Sequence, residues 1–180
     1  MIKAILGGTI GVVLALAITG SAEAQRKGDW KEGGRVEGYG PVAQGVVYDA
    51  LDPDTKMSVA FDVSVQAREG SISRQLETVA RFLNMHAQAG LRDENVKAAV
   101  VVHGQAVKDL LIPGQSGRPN LSKPLVEALI AAGASITVCA QSAAAQGITQ
   151  DMLLPGIGMS LSAMTAHAQL KSEGYGLNPF

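Results

Sequence analysis

The chain has 180 residues, of which 15 are basic and 16 are acidic, so its formal net charge is only −1. This balance argues against nucleic acid or an acidic lipid surface as a partner. With Cys139 as its single cysteine the chain can form no intramolecular disulfide, so a hydrophobic core must hold the fold. Cys139 is therefore buried and inert, paired with another molecule, or kept as a working thiol.

The N-terminal segment has the pattern of a signal peptide. Lys3 precedes an apolar run over residues 4–18, and the small-x-small sequence Ala22-Glu23-Ala24 follows it. A membrane anchor is the alternative, but the run contains several glycines and is shorter than the ~20 apolar residues that a spanning helix needs. The sequence predicts that residues 1–24 are a signal peptide cleaved after Ala24. It therefore predicts a periplasmic protein of one domain, with no membrane span after cleavage.

Residues 25–56 are polar and glycine-rich and show no sustained period, which predicts a mostly irregular arm. Its aromatic residues Trp30, Tyr39 and Tyr48 could dock on the domain or on a neighbouring subunit. A short strand over Val46 and Val47 is the one regular element that we expect in the arm.

The domain predicted over residues 57–180 begins with a strand and a helix. Apolar and polar residues alternate over residues 57–66, which is typical of a strand covered on one face. Ser71 and Ser73 then offer N-cap oxygens to a helix that ends at Gly90. The unbroken apolar run over residues 98–102 predicts a strand buried on both faces of a parallel sheet, and His103 follows it directly.

Strand and helix patterns alternate to the end of the chain. After a turn-rich loop over residues 113–120, Ser122 caps a second helix, and a buried strand over 135–138 delivers Cys139 at its carboxyl end. A short helix over 141–146 comes next, and then a strand over 156–159, with Ser160 as the cap of a last helix that ends before Gly174. The alternation predicts a single compact α/β domain, with a mostly parallel sheet flanked by helices on both faces. Its core is predicted from the inward period of each element: Val59, Phe61, Val63, Leu76, Val79, Leu83, Val100, Val101, Val102, Leu125, Leu129, Ile136 and Val138.

Cys139 and His103 are the candidate catalytic residues. Cys139 lies where the carboxyl end of a strand meets the amino end of a helix, and unpaired amides there favour a thiolate over a thiol. His103 ends the neighbouring strand, so in a parallel sheet it would face the same edge and could supply a proton or a positive charge. The alternatives are a cysteine that packs as a small hydrophobe and a histidine that bonds a loop carbonyl.

No metal site and no cofactor are predicted. His86, His103, His167 and Cys139 fall in separate elements without the short spacings of zinc motifs, and we expect His86 and His167 to be solvated helix residues. The Gly-Gln-Ser-Gly sequence at 114–117 lacks the Lys-Ser/Thr ending of a phosphate loop and does not open a helix. Nucleotide binding is therefore not predicted.

Three stretches of the chain resemble the DsrE/DsrF-like family, in its exported branch. They are Val-Val-Val-His-Gly-Gln-Ala-Val at 100–107, Ile-Thr-Val-Cys-Ala-Gln-Ser at 136–142, and residues 153–175 with their Leu-Pro-Gly and Gly-Tyr sequences. The resemblance spans residues 57–175 and leaves the arm outside. It implies a compact α/β domain that assembles into trimers or hexamers. In the sulfur-relay members, which are cytoplasmic and work in hetero-oligomers, it implies a cysteine that carries sulfur as a persulfide.

Cys139 falls on the position of that sulfur-carrying cysteine, whereas His103 lies in a family stretch without an agreed catalytic role. Two functions follow as hypotheses. In the first, the protein is a homo-oligomeric, sulfurtransferase-like carrier in which Cys139 takes sulfur from a donor protein and passes it to an acceptor. In the second, the protein is a non-catalytic assembly or ligand-binding subunit in which Cys139 is structural. The exposure of the sulfur should separate the two.

Overall fold

The structure is a computed structural model that describes residues 28–178. The predicted signal peptide lies outside the described residues. Within the described part of the chain, no helix is both long enough and apolar enough to cross a membrane.

The described chain alternates strands and helices from Met57 onward, as its periodicity predicts. In chain order the elements are β1 (Trp30–Lys31), β2 (Val42–Ala43), β3 (Met57–Val63), α1 (Arg74–Gln88), β4 (Val96–Val102), α2 (Lys123–Ala131), β5 (Ser135–Cys139), α3 (Ala140–Ala144), β6 (Ile157–Ser160), α4 (Ala163–Ser172) and β7 (Gly176–Asn178). Short 3₁₀ helices cover Asp93–Asn95, Gly104–Leu110 and Gln150–Met152.

The central sheet has five strands in the order β6-β5-β4-β3-β7, and every neighbouring pair is parallel. The predicted α/β class and single domain are confirmed. From β3 to β6 the chain adds strands toward one edge, and it then returns to the opposite edge to add β7. The connection between β6 and β7 is α4, which therefore crosses the sheet.

One face of the sheet carries the main hydrophobic core, against α1 and α2. Paired residues of parallel strands point to the same face, and Val63, Val102 and Val138 form one such row. The predicted core is confirmed in this cluster, which contains Phe61, Val63, Leu76, Val79, Leu83, Val100, Val102, Leu125, Leu129, Ile136 and Val138. Two predicted members differ: Val59 is only partly buried, and Val101 is fully buried but lies on the opposite face.

The opposite face is covered by α4. The sheet presents small or short side chains there, among them Ala60, Ala99 and Val101, all of which are buried. The helix itself contributes a single fully buried residue among those described, Ala166. This face is therefore held by much less apolar contact than the core face.

The arm packs on α1 through polar contacts that its sequence does not reveal. Asn84 of α1 is 1% exposed, accepts a hydrogen bond from the Val36 amide and donates to the carbonyls of Val36, Tyr39 and Gly40. Gly40 has φ +58°, and a Cβ there would lie 2.2 Å from the Arg81 backbone nitrogen, so only glycine allows this close approach.

The predicted strand at Val46 and Val47 is wrong. Val47 is 97% exposed, and the regular structure of the arm is the antiparallel pair β1 and β2. Val42 of β2 is buried, whereas Val46 is half exposed and Val47 is almost wholly exposed.

The last helix begins later than predicted. Ser160 is the final residue of β6, where it pairs with Cys139, so the predicted cap at Ser160 is wrong. Ser162 is the N-cap instead, and its hydroxyl accepts a hydrogen bond from the Thr165 amide at 3.0 Å. The strand β7 was not predicted, because its three residues carry no apolar alternation.

Candidate functional site

Cys139 lies at the carboxyl edge of the sheet, as its place in the sequence predicts. It is the last residue of β5 and the N-cap of α3. Its side chain points to the α4 face, because it comes one residue after Val138, which faces the core. The residue is only 6% exposed.

Four hydrogen-bond donors influence the pKa of the Cys139 thiol. Burial raises the pKa of the thiol, but the Ser142 hydroxyl and the backbone amides of Ser142, Ala163 and Gln141 together lower it by more. The net result is a thiol whose pKa lies below its ordinary value. Donors aimed at sulfur stabilise the thiolate, which is the nucleophilic form of cysteine.

The Ser142 hydroxyl is held in place by the turn that follows β4. The Gly104 amide donates to the Ser142 oxygen at 3.1 Å, which leaves the hydroxyl proton free to point at the Cys139 sulfur. Gly104 has φ +55°, and a Cβ there would lie 3.1 Å from the Ser64 carbonyl oxygen. Gln146 closes the network by donating to the carbonyls of Gly104 and Ser142.

His103 comes directly after β4 and lies next to Cys139 across the sheet, since Val102 and Val138 form a pair in the register. Its side chain is not turned into the sulfur's hydrogen-bond network. Its Nε2 bonds Asp62 Oδ2 at 2.9 Å instead, and the imidazole is 32% exposed. His103 and Cys139 therefore lie at the same edge of the sheet and on the same face. The hydrogen bond from the Gly104 amide to the Ser142 hydroxyl links the segments that follow them.

Asp62 bridges two histidines, and sequence analysis did not single it out. Its second oxygen, Oδ1, bonds His167 Nε2 of α4 at 2.8 Å. Burial raises the pKa of Asp62, but its hydrogen bonds and charge interactions with His103 and His167 lower it by more, so the carboxyl pKa lies below its usual range. One feature of the sequence could have identified it: Asp62 is a polar residue at the carboxyl end of the first strand of the domain, where the site lies.

The prediction that His167 is a solvated helix residue is wrong. Its side chain is only 21% exposed, it bonds Asp62, and its Nδ1 is buried without a hydrogen-bond partner. His86 is likewise not simply solvated, because its Nδ1 lies 2.8 Å from the Phe82 carbonyl oxygen one turn earlier in α1. Among residues 28–178, no group of three or more His, Cys, Asp or Glu residues is arranged to hold a metal ion.

The fold is similar to that of a solved structure. The protein of unknown function MTH1491 from Methanobacterium thermoautotrophicum is 23% identical, with a TM-score of 0.54, and the match covers 68% of this chain and 98% of that chain. The ychN protein from E. coli is 17% identical, with a TM-score of 0.48, and the match covers 68% and 96% of the two chains. A comparison with curated proteins gives no match.

The family model of the DsrE/DsrF-like family matches residues 57–179. The match runs from the first residue of β3 past the end of β7, so it includes the whole parallel sheet, Cys139, His103 and both partners of the Asp62 bridge. The chain belongs to the DsrE/DsrF-like family, which is associated with sulfur relay.

Proposed function

We propose that this protein is an exported thiol protein that carries sulfur as a persulfide on Cys139. The observation that carries the proposal is the set of donors around the sulfur: one hydroxyl and three backbone amides lower the pKa of the thiol despite its burial. A sulfur that served only for packing would need no such donors. Membership of a family associated with sulfur relay supports the same chemistry.

The proposed reaction is a transfer of sulfane sulfur between thiols. The Cys139 thiolate attacks the outer sulfur of a donor persulfide, R–S–SH, and the new S–S bond forms as the bond to the donor breaks. The electron pair leaves with the donor as R–S⁻, so the products are the Cys139 persulfide and the donor thiolate. An acceptor thiolate then attacks the outer sulfur and regenerates the Cys139 thiolate. No net oxidation takes place in either step.

His103 is the proposed proton partner for these steps. Its Nε2 bonds Asp62, so in the neutral ring Nε2 carries the proton and Nδ1 is the nitrogen that can exchange one. An imidazolium at this position would protonate the donor thiolate, R–S⁻, that is released when the sulfur is transferred. Because Cys139 is the single cysteine of the chain, no second thiol of the same chain can displace the outer sulfur by forming a disulfide.

The low exposure of Cys139 favours a second candidate function. At 6% exposed, the residue offers little surface to a donor protein in this structure. On this alternative the protein is a non-catalytic oligomeric or ligand-binding subunit, Cys139 is a packing residue, and contacts are made by the arm and the loop over residues 113–120. The two candidates differ in whether the native sulfur reacts.

The proposal is tested by intact mass spectrometry of the purified protein after incubation with polysulfide. We expect the wild type to gain one or more sulfur atoms, and we expect dithiothreitol to remove them. Cys139→Ser should gain none. The same spectrum reports the N-terminus, and the proposed export predicts a mature chain that begins near Gln25.

A matched alkylation experiment decides between the two candidates. The native wild type should react with iodoacetamide faster than a free cysteine does at neutral pH, because its thiolate is already populated. Cys139→Ser must keep the circular dichroism spectrum and elution volume of the wild type for the comparison to hold. A native protein that resists both polysulfide and alkylation until it is denatured would establish Cys139 as a packing residue.

A further inference from the structure

A cleft between the arm and α1 gathers several large apolar side chains that the fold leaves exposed. It has a volume of about 380 Å³, and its lining includes Trp30, Val42, Tyr48 and Leu51 of the arm and Arg81 and Met85 of α1. Trp30 is 55% exposed, Tyr48 is 56% exposed and Met85 is 41% exposed. Large apolar side chains grouped around a concave surface of this size are typical of a site that binds a small molecule.

The charge of this cleft is positive. Among the described residues that line it, Arg81 carries a permanent charge, His86 adds a ring that can be protonated, and none is a carboxylate. No carboxylate of residues 28–178 lies within 4 Å of the Arg81 nitrogens, so no ion pair in this part of the chain neutralises the guanidinium. The apolar wall therefore has one cationic group that an anion would complement.

The Arg81 guanidinium is held in place by two contacts with the arm. Its Nε donates to the Pro41 carbonyl at 2.9 Å, and its central carbon lies 5.4 Å from the centre of the Trp30 ring system. The N–H groups on its two Nη atoms have no hydrogen-bond partner among the described residues. A fixed guanidinium with free Nη groups matches the geometry of a carboxylate, and little side-chain freedom is lost when it binds one.

We propose that this cleft binds a small aromatic carboxylate, whose ring packs against Trp30, Tyr48 and Met85 and whose carboxylate accepts hydrogen bonds from Arg81. Aromatic rings and a thioether are favourable partners for an aromatic ligand. The cleft lies along the second half of α1, which runs from the carboxyl edge of the sheet back toward the amino edge where β4 begins. The site is therefore separate from Cys139, and the inference does not rest on the proposed sulfur transfer.

The test follows the indole N–H signal of Trp30 in the ¹H–¹⁵N NMR spectrum of the mature protein. The chain has a single tryptophan, so this signal reports on the cleft without further assignment. Titration with naphthalene-2-carboxylate should shift it until the site is saturated, which gives a dissociation constant. Naphthalene-2-carboxamide has the same ring body but no charge, and it should bind about tenfold more weakly because a charge-assisted hydrogen bond is lost.

Three variants separate the contribution of the charge from that of the apolar wall. Arg81→Met keeps an unbranched apolar side chain, so the carboxylate should bind about tenfold more weakly while the affinity for the carboxamide stays unchanged. Tyr48→Ala removes part of the wall and should weaken both ligands by the same factor. Arg74→Met is the matched control, because Arg74 is exposed at the start of the same helix and does not line the cleft. It should keep both wild-type affinities.

Several outcomes would overturn the inference. They are a Trp30 signal that does not shift to saturation, equal wild-type affinities for the two ligands, and an equal loss of carboxylate affinity in Arg74→Met and Arg81→Met. A signal that shifts with protein concentration alone would also overturn it, because the cleft would then be covered by a second copy of the chain. If Arg81→Met does not fold, Arg81→Lys replaces it. Lysine keeps the charge but lacks the planar fork, so only the carboxylate should bind more weakly.

Discussion

The Cys139 sulfur is subject to two opposing effects. Burial raises its pKa because a thiolate loses hydration, whereas four hydrogen-bond donors stabilise the thiolate and prevail. Three of these donors come from Gln141 and Ser142, so they follow from the local path of the chain where β5 passes into α3. The fourth comes from Ala163, the first residue of α4, which follows Ser160, the β6 partner of Cys139, by three residues.

The Ser142 hydroxyl is the side chain that donates to the sulfur, so its removal should show directly in the thiol pKa. We expect Ser142→Ala to raise the alkylation midpoint of Cys139 by about half a unit to one unit. The wild-type pKa is lowered, so the variant should react more slowly at pH values below the two midpoints. At pH values above both midpoints the rates should converge, because each protein is then fully thiolate. Alkylation rates across a pH series provide the measurement.

Ser160→Ala is the matched control for this variant. Ser160 pairs with Cys139 across β5 and β6, but its hydroxyl is not among the donors that lower the thiol pKa. The pH midpoint of Cys139 alkylation in Ser160→Ala should stay at the wild-type value. Equal shifts in both serine variants would mean that local polarity, and not the Ser142 hydrogen bond, sets the thiolate population.

At the scale of the element, α1 holds the arm as well as the sheet. Its apolar stripe, which includes Leu76, Val79 and Leu83, faces the core. Asn84 continues the buried side of the helix and satisfies the backbone of residues 36–40, which pass over α1 without strand partners. Buried backbone groups must be hydrogen-bonded, so this one amide replaces the sheet ladder that the arm lacks here.

Replacement of Asn84 should therefore loosen the arm and destabilise the fold. Asn84→Ala leaves the Val36 amide and the carbonyls of Tyr39 and Gly40 without these partners, and we expect a loss of about 1–3 kcal/mol in the free energy of unfolding. Urea unfolding followed by circular dichroism measures it. Proteolysis should also cut the arm faster in this variant than in the wild type.

Gln88→Ala provides the control, because Gln88 is one turn further along α1 and also contacts the arm, through Gln44 at 3.1 Å. That contact is exposed, so its loss should change stability by no more than a few tenths of a kcal/mol. A loss in Asn84→Ala as small as in Gln88→Ala would contradict the proposed role of the buried amide.

At the scale of the whole molecule, the two faces of the sheet are covered unequally. Two helices, α1 and α2, cover the core face. In the part of the chain that the structure describes, α4 is the helix that crosses the opposite face. Leu161 and Met164 are exposed at the start of α4, and Leu177 is exposed on β7 at the other edge of the sheet. Neighbouring exposed apolar side chains such as Leu161 and Met164 are typical of a surface that another chain covers.

We therefore expect the mature protein to be a homo-oligomer, and the family resemblance implies a trimer or a hexamer. Light scattering coupled to size-exclusion chromatography should give a mass of three or six chains. Met164→Glu, which places a charge on the most exposed of these apolar residues, should lower that mass if the α4 face is the interface. Lys123→Glu on α2 is the control. A wild-type mass of one chain would contradict the prediction.

Local patterns were sufficient to predict much of this molecule. Two strands are predicted by alternation over residues 57–66 and by the apolar run over 98–102. Side chains on a strand point to alternate faces, so each of these patterns can be read from consecutive residues alone. Val101 shows the limit of this method, since an apolar run identifies a buried strand but not which layer covers each residue, and Val59 shows that a residue on the core face is not always fully buried. The strand β7 is too short and too exposed to produce a pattern.

The sequence by itself determined the α/β class, the parallel sheet and the placement of Cys139 and His103 at one edge, because the carboxyl ends of parallel strands meet there. Only the tertiary structure decided what surrounds them. His167 and Asp62 are 105 residues apart, and Gly104 and Ser142 are 38 residues apart, so no local pattern could pair them. Ala163 lies near Cys139 because β6 pairs with β5 up to Ser160 and Cys139, and α4 begins three residues later. That pairing joins two strands that a short helix and a loop separate in the sequence, so only the tertiary structure decides it.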